Sequence, residues 1–490
     1  MKKNLFLVFF IPLLSISQIQ IDNDIDGEAD DDQFGYSVSL SGDGSIMAIS
    51  APKSNDNGNN SGHVKIYENA PSGWTQIGDK IEGQELEDQF GYSISLSNDG
   101  SIVAIGSPYN NGVSGIDFGQ VQIYKYNELL DTWEKVGNDI KGKAAGNLFG
   151  HSVSLSNDGS KVVVGATNFS AVNISYVQVY EYNESSSTWE KLGDDIYGET
   201  AGNGAGYSVS FSGNGAAIAV GAPRNDFNGG HVIVYEYNSS FGEWIKMGDN
   251  IDGEDRGDQS GYSVSLSDDG LTVAIGSPTN SDLLVTSGHV RVFKYISNSW
   301  QQLGSDIDGE AASNQSGTSV SLSGDGTIVA IGSPQSNLAS GHVRVFKYNV
   351  SSKDWIKIGA NIDGEDIADL SGSSVSLSSN NGSKVAIGAP KNLNATNSGH
   401  VRVYNLRPVL SSNSFVLSRF RISPNPATFQ TTIKLNKGLI LEKISIYNGL
   451  GQFIKSTQKS IIDTSDLSSG MYYLQIVTDK GNATKKLIIE

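Results

Sequence analysis

Along most of the chain, short apolar and polar positions alternate at a period of two, and the pattern returns at a steady interval. The phrase Gly-Tyr-Ser-Val-Ser-Leu-Ser, or a near variant, starts at Gly35, Gly91, Gly150, Gly206, Gly261, Gly317 and Gly372, 55 to 59 residues apart. In Ser319-Val320-Ser321-Leu322-Ser323 the alternation predicts a strand with one buried face. A two-residue turn follows in every copy: Asp43-Gly44, Asp99-Gly100, Asp158-Gly159, Asn214-Gly215, Asp269-Gly270, Asp325-Gly326 and Asn381-Gly382. Such pairs take positive φ cheaply and mark hairpins. The next stretch, for example Ile328 to Pro334, is apolar nearly throughout, which suits a strand covered on both faces. After a loop of variable length comes a third strand, typified by Gly341-His342-Val343-Arg344-Val345-Phe346. The fourth carries a Trp and, seven residues later, an Ile.

Four strands per repeat and an interval a little above one propeller blade predict an all-β, seven-bladed β-propeller over residues 18–405. The ends of the repeat support a closed ring. Six fourth strands are present, marked by Trp74, Trp133, Trp189, Trp244, Trp300 and Trp355, while the seventh repeat stops near Tyr404 without one. An orphan copy instead precedes the first repeat, where Ile21 to Glu28 matches Leu303 to Glu310. An N-terminal strand that completes the last blade removes the exposed edges a ring would otherwise keep. An open solenoid or two smaller domains would not need that complementarity.

The chain has 490 residues, 53 acidic and 34 basic, and a formal charge of -19. An acidic surface of this kind argues against nucleic-acid binding. There is no cysteine, which excludes structural disulfides, thiol catalysis and thiolate metal sites. Residues 1–17 read as a signal peptide: Lys2-Lys3, an apolar run from Leu5 to Leu14, then Ser15-Ile16-Ser17. No other segment has the length and apolarity of a membrane-crossing helix. Past residue 405 the repeat stops. After a linker at 406–420, residues 421–490 show strand candidates at Thr432 to Leu435, Lys443 to Tyr447, Gln452 to Ser456, Met471 to Thr478 and Lys485 to Ile489, consistent with a small β-sandwich. The charge also breaks there. Residues 411–490 hold ten basic and five acidic side chains, residues 18–410 hold 22 and 48.

No residue set in the sequence stands out as catalytic, cofactor-binding or metal-binding. The six Trp are expected to pack inside their own blades. His63, His231, His289, His342 and His400 share one third-strand position, with Gln120 and Tyr176 in the other two copies, and are expected to make structural hydrogen bonds. His151 replaces the first-strand Tyr and reads as isolated. An acidic turn follows each fourth strand, as in Asp24, Asp26, Glu28, Asp30, Asp31 and Asp32 or in Asp252, Glu254 and Asp255, whereas Lys141-Gly142-Lys143 has lost its acids. Ca²⁺ at these turns is the alternative to plain solvation. The variable loops Lys53 to Ser61, Tyr109 to Phe118, Thr279 to Ser287 and Lys391 to Ser398 are the candidate contact surface, with Phe118 and Leu283-Leu284 as apolar intrusions. In the third repeat Gly165-Ala166-Thr167 replaces the usual Gly-Ser-Pro, so its surface should differ.

The repeats resemble the bacterial form of the FG-GAP repeat found in the integrin α-subunit propeller. Phe34-Gly35, Phe90-Gly91 and Phe149-Gly150 carry the likeness, with Gly221-Ala222-Pro223, Gly388-Ala389-Pro390 and the Gly-x-Val-x-Val/Ile-Tyr strands. Calcium-binding members have a longer multi-acid loop between the first two strands than this chain does. Residues 421–490 resemble the type A sorting domain of the type IX secretion system, through Ser423-Pro424-Asn425-Pro426, Ile444 to Gly451, Leu467 to Leu474 and Lys485 to Ile489. The resemblance implies handling by the type IX machinery and a secreted or surface-attached protein. Together these features predict an exported propeller serving as a glycan- or protein-binding adhesion module. A passive structural protein and a polysaccharide-active enzyme are the alternatives.

Overall fold

In the computed structural model, the described residues are 18–111, 117–169, 174–391, 398–407, 420–435, 440–448, 452–478 and 481–490. The signal peptide at 1–17, most of the linker and parts of the Tyr109 and Lys391 loops lie outside them. Two compact units divide the chain at Leu406–Arg407, the larger starting at Gln20.

The larger unit consists of seven antiparallel sheets, one per repeat. In the first, the strands Val38–Leu40, Ile46–Ala51, His63–Ala70 and Gly73–Gln76 pair in order. A two-residue continuation, Ile81–Glu82, pairs with the inner end of the third strand, so the fourth strand is broken in two. The turn dipeptides work as their chemistry predicts. Asp43 accepts at Oδ1 from Ser45 N, Ser45 Oγ and Ser41 Oγ, and Gly44 has φ 67°. The apolar second strand is almost wholly buried, from Met47 to Ala51. The glycine that ends it has a packing reason: a Cβ on Gly276 would lie 2.1 Å from Gly317 O of the next blade.

The serines of the repeated phrase tie blade to blade. Leu96 N donates to Ser39 Oγ of the preceding blade at 3.0 Å. The same bond recurs at Leu155–Ser95, Phe211–Ser154, Leu266–Ser210, Leu322–Ser265 and Leu377–Ser321, and Leu40 N to Ser376 Oγ returns to the start. The first strands therefore neighbour one another in a full cycle around an axis. The seventh sheet takes its outer strands from the N-terminus: Ile19–Gln20 and Ile25–Asp26 both pair with His400–Asn405. The orphan strand fills the deficit.

The Trp residues depart from the expectation. Five of the six indoles pack on a Tyr of their own third strand, as Tyr126–Trp133 does at 5.2 Å, but their N–H leaves the blade; Trp74 lies opposite Asn69, and its Nε1 is buried without a hydrogen-bond partner. Trp133, Trp189, Trp244, Trp300 and Trp355 donate through Nε1 to the backbone O of Ile77, Val136, Leu192, Met247 and Leu303 in the preceding blade. A buried indole N–H needs an acceptor, and the blade's own backbone is already paired. These five Trp are struts between blades.

The smaller unit has two sheets. Phe420–Ser423, Gln430–Leu435 and Ile461–Asp463 form one; Leu441–Asn448, Phe453–Thr457, Gly470–Thr478 and Gly481–Ile489 form the other. Phe420 and Ile433 from the first and Ile444, Ile446, Leu474, Ile476 and Leu487 from the second share one core. This is a β-sandwich. Phe420–Ser423 and Ile461–Asp463 are strands that alternation did not reveal, being three or four residues long.

Candidate functional site

Directly after each repeat-start glycine, at or just before the first strand, stand Tyr36, Tyr92, His151, Tyr207, Tyr262, Thr318 and Ser373. Because first strands neighbour one another around the axis, these side chains meet. Ring centroids lie 5.1 Å apart for Tyr36–Tyr92, 5.1 Å for Tyr92–His151, 4.7 Å for His151–Tyr207 and 4.8 Å for Tyr207–Tyr262. Five rings form an arc over blades one to five, and the small Thr318 and Ser373 complete the circle. All seven are half-buried. His151, expected to be isolated, is the middle ring of the arc; reading along the chain hides a neighbour one blade away.

Both imidazole nitrogens of His151 face partners. Nδ1 lies 3.1 Å from Tyr207 O, so it carries the proton and donates, and Nε2 lies 3.5 Å from Tyr92 Oη as acceptor. Burial pulls this imidazole down to about 4, against a weaker opposing effect of the Tyr207 carbonyl; it is neutral at pH 7. Burial also raises the Tyr36 and Tyr207 phenols, helped by the neighbouring phenols. The arc is thus an uncharged aromatic surface with hydroxyls at its edges.

The arc extends into loops between second and third strands, of which the Tyr109 loop is an expected contact surface and those carrying Phe169 and Arg224 are not. Tyr109 packs edge-on against Tyr92 at 6.0 Å, and Phe169 against Tyr207 at 5.8 Å. The exposed Arg224 guanidinium stands 3.8 Å from the Phe169 ring centroid. Phe169 follows the irregular Gly165-Ala166-Thr167 ending, so the third blade's surface does differ. On this face Leu283 and Val285 are 61% and 70% exposed, and Phe227 is 72% exposed with Arg256 over its ring.

The other predicted groups fall elsewhere. The hairpin acids Asp99, Asp158 and Asp325 spend their oxygens on turn N–H and hydroxyl groups, as Asp43 does. Of the third-strand histidines, His231 has an amide partner, Asn225, at 2.9 Å. His63, His289 and His400 are buried with both ring nitrogens lacking a hydrogen-bond partner, contrary to the hydrogen-bonding role expected of them. They lie beside carboxylates instead.

An exported propeller with a separate sorting unit is the class these features define. Residues 24–67 match the FG-GAP repeat family and residues 421–490 match the secretion system C-terminal sorting domain. The chain therefore carries a type IX sorting signal and is exported, to be secreted or held at the cell surface. No helix among the described residues is long and apolar enough to cross a membrane. No curated protein matches the sequence. Among solved structures, the chain is similar to hydrazine synthase of Kuenenia stuttgartiensis, at 12% identity and a TM-score of 0.48 over 77% of this chain and 96% of that one. A putative 6-phosphogluconolactonase from Bacteroides uniformis gives 12% identity and 0.49 over 73% and 94%. The periplasmic gluconolactonase of Pseudomonas aeruginosa gives 13% and 0.48 over 87% and 95%. Likeness at this level says nothing of ligand or chemistry.

Proposed function

We propose that this exported propeller is a binding module, and that it holds an extracellular glycan on the aromatic arc and the loops around it. The observation that carries this reading is the arc itself: five rings packed in series at a tilt, uncharged, with hydroxyl edges, continued outward by Tyr109, Phe169 and Arg224. Aromatic faces suit the C–H faces of sugar rings, and the phenols and guanidinium supply polar partners for their hydroxyls. A polyanion would be repelled by the surplus of acidic groups on this ring. Turnover is less well supported. The one imidazole in the arc has both nitrogens engaged, and a general base needs one free toward its substrate.

The test is to pass neutral and acidic polysaccharides over the immobilised protein and record both retention and product release. Saturable retention of a neutral glycan, weakened at least tenfold in a Phe169→Ala/Arg224→Ala variant whose melting temperature is unchanged, is the expected result. Release of products would replace binding with catalysis. Flat responses to every glycan would point to a protein partner or a passive coat.

A further inference from the structure

The three histidines without hydrogen-bond partners raise a question of charge balance that the seven blades answer differently. Around each third-strand residue stand side chains from three places: the outer strand and its two-residue continuation in the same blade, the loop before the third strand, and the acidic turn after the preceding blade. In four blades a lysine of the outer strand brings an ammonium group into this neighbourhood, and in blade one, whose outer strand carries Gln76 there, Lys80 just beyond that strand does so. Lys80 bridges Asp56 at 2.7 Å and Glu82 at 3.0 Å beside His63. Lys135 pairs with Asp139 and Lys191 with Asp195, both at 2.9 Å. Lys246 bonds Asn250, and Lys357 pairs with Glu310 at 3.0 Å.

Blades five and seven have a lysine at neither of these two positions. Glutamine takes its place: Gln302 donates to Asp306 at 2.5 Å, and Gln20 donates to Asp24 at 2.6 Å. In these same two blades, among the described residues, carboxylates close on the histidine. Glu254 and Asp282 have oxygens within 4.8 Å of each other and of a His289 nitrogen, as do Asp306 and Asp308; Asp24 and Glu365 do the same at His400. His289 and His400 are 0% exposed, and no nitrogen of either ring has a hydrogen-bond partner. Arg291 stands 3.5 Å from Glu254 in blade five, and Arg402 stands 3.7 Å from Glu365 in blade seven. Blade six carries the equivalent Arg344 and still keeps its lysine, so the arginine does not replace the ammonium.

We propose that blades five and seven each bind a divalent transition-metal cation where the other blades place a lysine. His289 supplies nitrogen in blade five, with oxygens from one of the two carboxylate pairs beside it, Glu254 with Asp282 or Asp306 with Asp308, and His400 does so in blade seven with Asp24 and Glu365. A mixed imidazole and carboxylate set suits Zn²⁺ or its first-row neighbours, whereas Ca²⁺ takes oxygen alone. Tetrahedral ligands about 2.0–2.2 Å from a cation lie about 3.3–3.6 Å apart, so atoms that stand within 4.8 Å of one another have to close by little more than about 1 Å. The Asp282 side opens on a cleft of about 640 Å³ lined by Arg256, Asp258, Thr279 and Thr286, which gives the ion a way in. This set is remote in sequence from the Asp-Gly hairpins.

Titration of the metal-stripped full chain with ZnCl₂, and separately with CaCl₂, followed by metal analysis after dialysis, tests the proposal. Two equivalents of zinc are expected. Gln302→Lys and, separately, His289→Gln should each lose one. Both variants copy residues that sister blades already carry at the same position, Lys357 and Gln120, so folding is expected to survive; the circular dichroism melt verifies it. Gln20→Lys added to Gln302→Lys should abolish retention. Wild-type chain that retains no zinc, variants that retain as much as wild type, or calcium held in preference to zinc would each overturn the assignment.

Discussion

Asp88 shows how the repeat lets one blade predict the behaviour of another. Its carboxyl is 2% exposed; Oδ2 accepts from Asn110 at 2.9 Å, and Oδ1 has no hydrogen-bond partner. Burial, with a smaller contribution from Glu85, pushes it up to about 6. A carboxyl raised in the folded state loses stability as pH climbs from the unfolded value near 4 through 6, since ionisation then favours the unfolded chain. Blades three, four and six carry Asn147, Asn203 and Asn314 at this position. Asp88→Asn should therefore stabilise the protein at pH 7 by on the order of 1 kcal/mol, and the gain should vanish below about pH 4; denaturant melts at both pH values check it. The same scale shows what the sequence hid. Tyr36, Tyr92, His151, Tyr207 and Tyr262 are each an ordinary strand residue in their own repeat, and their contact exists only across blades. Gln302 and Gln20 become informative only when set against the lysines of their sisters and the carboxylates they leave uncompensated.

Among elements, the hairpins follow from alternation and turn chemistry, and so were legible, whereas the break in the fourth strand was not. The N-terminal strand was legible as well, because Ile21 to Glu28 repeats a pattern that the seventh blade lacks. Ile21 and Ile25 pack onto a core with Phe34, Val38, Met47, Val401 and Val403, while Ile21 N donates to Val403 O at 2.7 Å. A chain that starts at Gly27 loses these contacts and bares the His400–Asn405 edge. It should be destabilised by about 3–5 kcal/mol and should self-associate through the open edge. Calorimetry and light scattering measure the two effects, and a monomer with an unchanged melt would contradict them. The Trp struts were legible as buried residues but not as inter-blade bonds, since the acceptor lies more than fifty residues away in the chain.

For the whole molecule, the charge break between the acidic ring and the basic C-terminal segment coincides with a division into separate compact units. The sorting unit has its own core, from Phe420 to Ile489. A chain ending at Arg407 should therefore fold its propeller normally yet stay in the periplasm. Fractionation with immunoblotting checks this, and export of the shortened chain would refute a sorting role for residues 421–490. Fold and address were open to sequence reasoning because both repeat or match local patterns. The aromatic arc was not, because its residues come from five different blades.

The seventh blade, assembled from both ends of the larger unit, also sets a timetable. Ile25 cannot meet Val401 until nearly 380 intervening residues have been delivered, so a chain threaded through a pore from its N-terminus can form blades one to six first. The final pairing joins the most distant residues in the ring and carries the largest loop-closure cost. Transit and maturation are thereby coupled: the ring stays unlatched for as long as its last strand is still in the channel.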